Sequence, residues 1–599
     1  MEILCYTRNP KEDIIYGNRL AFSMHLAYKA ADGRFLPFHH NEGILYAKAV
    51  QYGNGTLKAK SLKNPWLFLT EDGDYGVVAV RTEAEGEDDP ESEGCVVLWR
   101  SRDLVHYQEV GCICLQKKGF VQDVKCFYDK REKAYCIYWQ RKGGEWLTGW
   151  ADIYAEQKVT IGSKAGSGSG MLPESVISGR GFEEIEGIRV RNSISIPDEL
   201  GEYLLQKLLT PACRSMKLSA AGPVKSLEAV TGINAIGVYS DGSEVKRKID
   251  WQIEHSLREG KNTVKGYVHQ EHFEFPFAEN RADPCCMYRK GKYYFIATND
   301  EDNNCSLYIR CSDTLSGIAS AQEVLILDTG RYPGIKGLLW APEFHEIGGR
   351  LYIFHAATEG EFFWEESRVM DLKEDGDPMC ALDWSEPHLV VKKDGTALCE
   401  AGKVISLDMT IFYYEDSPYA IWSQRQFLPE DQGAWLYIAR ISEKEPWKLE
   451  SDPICLLKPE YGWENSHTFV VEGPYALEKD GQLMLTYSGA GVDTTYTVGL
   501  LVPAMGSDIL NPENWRKNNY PILSSRSVEG QYGPGHNSYL KDEDGLVWNF
   551  YHARNGVEAP RSSGARRVHF DIDGEPMLDV TEEMDLPEKL RSVSIEVEL

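Results

Sequence analysis

Lys290–Thr298 reads KGKYYFIAT, a glycine turn that runs straight into a block of tyrosine, phenylalanine, isoleucine and alanine. A glycine-containing turn followed by aromatic and β-branched residues is a hairpin signal. The same texture returns as GGRLYIFHA (348–356), EDSPYAIWS (415–423), KDGQLMLTYS (479–488) and EDGLVWNFYH (543–552). With Tyr294, Tyr352, Tyr419, Met484 and Trp548 aligned, successive copies stand 58, 67, 65 and 64 residues apart. Each copy is long enough for four strands. Five copies at this period predict a β-propeller of five four-stranded blades.

Upstream of each aligned position a polar residue interrupts an apolar or small-residue stretch. The stretches are ADPCCMY with Asp283, WAPEFHEI with Glu343, SLDMTIFY with Asp408, VVEGPYAL with Glu472 and GPGHNSYL with His536. Equivalent positions in a propeller are related by rotation about its axis. Four carboxylates and one histidine are therefore expected to converge at the mouth of one funnel. Converging carboxylates are costly unless chemistry or a cation requires them.

The N-terminal part has a similar texture. NPWLFLTEDGDYGVVAVR (64–81) and VQDVKCFYDKREKAYCIYWQ (121–140) place Val77 and Tyr135 58 residues apart, and Asp123 falls at the register of the acids. Two or three such units do not close a ring, so 1–165 is read as a partial, blade-like β domain. SKAGSGSG (163–170) reads as a linker. IPDELGEYLLQKLL (196–209) has helical spacing after a Pro-Asp start. From 211 to 272 short strands return around the turn VYSDGSEV. With Trp251 and VKGYV (264–268), this stretch resembles a small bacterial immunoglobulin-like β-sandwich. The expected organisation is all-β: 1–165, then 166–275 (linker, short helix and immunoglobulin-like sandwich), then the propeller over 276–599.

Composition narrows the function. The chain has 599 residues and a formal net charge of −28. Such a charge repels phosphate backbones and anionic lipid, so nucleic-acid and membrane partners are not expected. No apolar run is long enough to span a bilayer. MEILCYTRNPKED carries no apolar leader, and the 14 cysteines form no CxxC pair. These features predict reduced thiols in a cytoplasmic protein, whose substrates would be small and imported.

The five motifs, in this order and at this period, resemble glycoside hydrolase family 43 over about 276–599. The resemblance implies an inverting mechanism with Asp283 as general base, Glu472 as general acid and Asp408 as modulator of the acid's pKa. The third position reads Asp-Met-Thr here, where the family usually has Asp-Pro or Asp-Gly. Inversion needs one ionised and one protonated carboxyl with a water between them, at ~6.5–9.5 Å. The resemblance also implies no required cofactor. Several members hold a water or a calcium ion (Ca2+) at the axis, which makes His536 the candidate metal ligand. Trp340, Glu343, Phe363, His536 and Arg554 are the candidate sugar-binding residues. The Glu472 stretch is most similar to arabinofuranosidase branches. The expected activity is exo-removal of terminal α-L-arabinofuranosyl residues. β-Xylosidase, exo-galactosidase and a non-catalytic sugar-binding propeller are the alternatives.

Overall fold

The computed structural model describes residues 1–10, 15–154, 160–164, 181–220, 223–253 and 258–599. Most of the expected linker, 165–170, lies outside the described residues. The protein is built almost wholly from antiparallel sheets.

Residues 281–567 form five consecutive sheets. The first four have four strands each, in simple up-and-down order. The opening strands are Arg281–Arg289, Gly337–Ile347, Val404–Tyr414, Val471–Lys479 and Tyr532–Lys541. Each opening strand lies against the next, and the fifth lies against the first. The fifth sheet has three strands where four were expected. After Arg567 the chain leaves it for a two-stranded ribbon, His569–Phe570 with Pro576–Met577.

The second strands are continuous apolar runs because both of their faces are covered. In the first sheet, Cys285 and Ile296 pack with Phe344 and Ile353 of the second. On the opposite face, Cys286 and Phe295 pack with Trp548 and Phe550 of the fifth. Tyr352 and Phe354 join Met409 and Trp422 across sheets two and three. Met484 and Leu500 join Tyr539 across sheets four and five.

The N-terminal part contributes two further four-stranded sheets, Lys60–Cys114 and Val121–Lys164, and a sheet in which Glu2–Arg8 pairs with both Ile188–Ser195 and His25–Lys29. Its core is continuous with that of sheets three and four. Leu26, Phe38, Leu67 and Trp99 share one buried cluster with Leu436, Trp463 and Leu485. The helix expected over 196–209 spans Asp198–Leu208 and buries Leu204 and Leu208.

Residues 213–268 form two three-stranded sheets. The C-terminal strand Ser592–Glu598, placed by sequence with the 276–599 unit, pairs with Lys261–Val268 and completes the second of them. Asp585 ties this region to the fifth sheet. It pairs with both Arg247 and Arg567 and accepts from the Tyr239 hydroxyl at 2.7 Å.

The shared core makes a specific demand. Phe38 is fully buried in it. Phe38→Ala should cost about 3–5 kcal/mol. Chemical denaturation followed by tryptophan fluorescence should shift as one transition, since the tryptophans of both halves sit in that cluster.

Candidate active site

The opening strands share a local device. Each breaks register once or twice, between Ala282 and Cys285, Trp340 and Glu343, Leu407 and Thr410, Glu472 and Tyr475, and Gly535 and Ser538. Within each break one residue has a left-handed backbone: Asp283 (φ 50°), Ala341 (φ 46°), Asp408 (φ 55°), Gly473 (φ 52°) and His536 (φ 49°). Such bulges bend a strand and re-aim a side chain. Left-handed non-glycine residues are uncommon and cluster at functional positions. Gly473 serves a second purpose, since a Cβ there would stand 3.0 Å from Nδ1 of His536.

The bulges bring Asp283, Asp408, Glu472 and His536 to one cavity of about 290 Å³, walled by Trp340, Phe362, Val492, Arg425 and Arg561. Asp283 is held most tightly. It accepts from Thr298 Oγ1 at 2.7 Å and from Arg561 Nη1 at 3.3 Å. His552 Nδ1 lies 3.0 Å from its Oδ1, and His536 Nδ1 3.3 Å. Burial alone would raise this carboxyl. Arg561, His536 and His552 outweigh burial and hold it well below the usual carboxylate range.

Asp408 and Glu472 show the opposite balance. Burial pushes Asp408 up, with the neighbouring Glu472 and Asp283 charges adding to it and His536 opposing. Burial also raises Glu472, against the hydroxyl of Tyr496, which donates to its Oε1 at 2.8 Å. The backbone N–H of Gly473 donates to Asp408 Oδ2 at 3.0 Å. One carboxylate is thus kept ionised, and the pair across from it favours a shared proton.

The remaining expected residues divide. Trp340 lines the cavity, and its Nε1 donates to Asn304 at 2.8 Å. Phe362 lines the cavity, while its neighbour Phe363 is half-exposed and packs edge-on against Phe362 and Phe427. Glu343 stands two residues beyond the bulge position Ala341; it is buried and bonds His345 Nε2 at 2.7 Å. Arg554 donates to the carbonyls of Ala559 and Val492, at 2.6 and 3.0 Å, and so braces two loops. Arg561 is the guanidinium that reaches the carboxylates, and Asp300 grips it with two bonds of 2.8 and 2.9 Å. Arg561, Arg425 and Tyr496 carry no signal in the repeat, whereas Thr298 and His552 close its first and last copies. Asp123 in the N-terminal part is paired with Arg191.

Burial lowers the pKa of His536, but Asp283, Asp408, Glu343 and Glu472 raise it further, which disfavours the neutral ring that metal ligation needs. Calcium takes 6–8 oxygen ligands. Among the described residues no group of three or more His, Cys, Asp or Glu is placed to hold a metal ion.

The electrostatics predict how stability responds to Arg561→Met. Removing the cation leaves Asp283 buried beside other carboxylates, which should cost about 3–5 kcal/mol at neutral pH. In the parent protein the depressed Asp283 contributes stability above its unfolded pKa and loses it as the pH falls through its folded pKa. In the variant that folded pKa rises, so Asp283 protonates earlier. The stability gap, measured by denaturation at several pH values, should therefore narrow as the pH is lowered.

Residues 273–576, half of the chain, match the model of glycosyl hydrolases family 43. An extracellular exo-α-(1→5)-L-arabinofuranosidase of Streptomyces chartreusis is 34% identical over 291 residues, covering 48% of this chain and 84% of that protein. One of the same name from Streptomyces avermitilis is 32% identical over 318 residues, covering 51% of this chain and 62% of the relative. The crystal structure of an α-L-arabinofuranosidase from Lactobacillus brevis is similar over 50% of this chain and 94% of its own, at 30% identity and a TM-score of 0.45. The names of the two Streptomyces relatives overturn the expectation of a cytoplasmic protein. That expectation leaned on free thiols. Buried thiols such as Cys5, Cys126 and Cys285 are inert, and their number is no gauge of compartment. Members of the family generally require no cofactor. With the match spanning the five sheets and their bulged carboxylates, the chain belongs to glycosyl hydrolases family 43 and is a glycoside hydrolase.

Proposed function

We propose that the protein is an inverting, exo-acting α-L-arabinofuranosidase that removes terminal arabinofuranosyl units from oligosaccharides outside the cytoplasm. The observation that carries the reading is the opposed electrostatics of two carboxyl groups in one cavity: Asp283 held ionised, Glu472 pushed towards its protonated form. The arabinofuranosidase names of the relatives supply the sugar.

In this mechanism Asp283 takes a proton from a water molecule as its oxygen bonds to the anomeric carbon. The glycosidic C–O bond breaks, and Glu472 passes its proton to the leaving oxygen. Water attacks opposite the leaving group, so the configuration inverts. Asp408, coupled to Glu472, helps to keep the acid protonated. Trp340 and Phe362 would face the sugar, with Phe363 at the rim. The small cavity suits one terminal unit.

We read 276–599 as a five-bladed propeller with its C-terminal strand lent to the 213–268 sheets. The ring of five packed sheets supports this reading. The organisation into 1–165, 166–275 and 276–599 belongs to the same proposal.

The test is hydrolysis of 4-nitrophenyl α-L-arabinofuranoside and of a linear α-1,5-arabino-oligosaccharide. Glu472→Gln and Asp283→Asn should each lower kcat/KM by about 10²–10⁴-fold. NMR of the first-formed sugar should show the β anomer. Retained configuration, or full activity in both variants, would overturn the reading.

A further inference from the structure

Two buried rings link the carboxyl group of Glu472 to the backbone of Asp283. Tyr496 stands just before the strand Thr497–Pro503, and its hydroxyl donates to Oε1 of Glu472 at 2.8 Å. His552 lies on the strand Val547–Arg554. Its Nδ1 is 3.0 Å from Oδ1 of Asp283 and 3.2 Å from that residue's backbone nitrogen. Burial holds His552 at a pKa of about 4, so the ring is neutral. The backbone N–H of Asp283 donates to Nδ1, so this nitrogen is the acceptor of the neutral ring and the proton sits on Nε2.

The two rings are stacked, with centroids 5.4 Å apart and planes within 7° of each other. Each is 1% exposed, so neither has solvent to move into. Gly535 pairs with His552 across the fifth sheet. A Cβ at 535 would stand 2.4 Å from two carbons of the Tyr496 ring. The second glycine of GPGHNS is therefore what allows the tyrosine to lie flat beside the histidine.

We propose that Tyr496 and His552 are positioning residues for the hydrolysis: stacked ring on ring, they tie the carboxyl of Glu472 to the left-handed backbone of Asp283 and hold acid and base at a fixed separation. This rests on the reading of Glu472 as acid and Asp283 as base. Neither ring touches the reacting atoms. Each acts through the group it bonds.

The two ends of the link are separable. Glu472 is faced by the Tyr496 hydroxyl and by the charges of His536, Asp283, Arg561 and Asp408. Among the described residues, Tyr496 is the one of these groups that hydrogen-bonds the Glu472 carboxyl. Asp283 is faced by Arg561, His536, His552, Asp408 and the Thr298 hydroxyl. A donor to a carboxylate favours its ionised form. Losing the Tyr496 hydroxyl therefore raises the pKa of the acid, whereas losing the His552 acceptor frees the backbone that aims the base.

The experiment is the pH profile of kcat/KM on 4-nitrophenyl α-L-arabinofuranoside for the full-length protein, Tyr496→Phe, His552→Phe, His552→Asn and Glu472→Gln. Tyr496→Phe keeps the ring and removes the hydroxyl. Its alkaline limb should move up by about one pH unit with the acid limb in place, and its peak should fall about tenfold. His552→Phe keeps a flat ring and removes the acceptor of the Asp283 N–H. Its peak should fall about tenfold, and His552→Asn, which restores an acceptor, should recover part of that loss. Packing damage alone would lower the peak, move neither limb in Tyr496→Phe and show no recovery in His552→Asn. A Tyr496→Phe profile with both limbs in place, or no recovery in His552→Asn, in variants with unchanged circular dichroism, would overturn the inference. Should His552→Phe fail to fold, Tyr496→Phe decides alone. Full activity in Glu472→Gln would instead remove the catalytic reading beneath it, so the two failures are distinguishable.

Discussion

An ionised Asp283, buried within reach of two other carboxyl groups, sets the terms for the rest of the site. Taking a carboxylate out of water costs several kcal/mol unless a cation and donors replace the solvent. Arg561, His536, His552 and Thr298 do so together. Arg561 comes from the loop before the last strand of the fifth sheet, and Asp300, in the turn between the second and third strands of the first sheet, holds it. The backbone of the same region joins these two sheets, through Ser563 to Ala278 and Ser563 Oγ to the carbonyl of Arg281. Contact between the first and fifth sheets and the charge of the base thus rest on one seam.

The second condition is how side chains from five strands meet at one point. A regular strand sends alternate residues to its two faces, and in these sheets both faces are packed against neighbours. Nothing regular would point along the axis. The left-handed bulges at Asp283, Asp408 and His536 supply that direction. At Glu472 the carboxylate comes first and glycine takes the left-handed position. The strain of left-handed non-glycine residues, of order 1–3 kcal/mol each, is tolerated because the flanking ladders and packed faces fix the backbone on both sides.

Much of this was legible in the sequence, and the part that was not has definite causes. The aromatic hairpin period predicted five sheets because each second strand must be apolar on both faces. The interrupting carboxylates marked the bulges because a polar residue in such a run has nowhere else to go. The alignment slipped at Glu343, where the bulge falls on Ala341 and the acid two residues on bonds His345. An alanine in a left-handed conformation leaves no trace in composition. Arg561 and Tyr496 were invisible because they lie in connections, where spacing carries no register. Arg554, adjacent to an aromatic strand, drew attention for its position, yet its guanidinium braces loop carbonyls. The strand 592–598 pairs with a partner more than 300 residues earlier, and no local pattern encodes such a pairing.

The N-terminal part bears on the site more than its distance in sequence suggests. It shares its core with the third and fourth sheets, which carry Asp408 and Glu472. The ribbon Val50–Lys58 reaches the loop that follows Arg425, where the carbonyl of Asn54 accepts from Gln432 at 3.0 Å and the Asn54 amide bonds Glu430. Next to Gln432 stands Asp431, whose carboxylate holds Arg425 of the cavity wall. A short chain of bonds, Asn54 to Gln432, then Asp431 to Arg425, therefore connects the first tenth of the sequence to the space where substrate would sit. Two packed sheets could shift against each other through side-chain contacts alone. A hydrogen-bonded ribbon clasping the loop behind Arg425 restrains that shift at the one edge where it would change the shape of the cavity. The N-terminal half is on this argument part of the catalytic scaffold, since removing it would expose the apolar faces of sheets three and four and release the loop that seats Arg425.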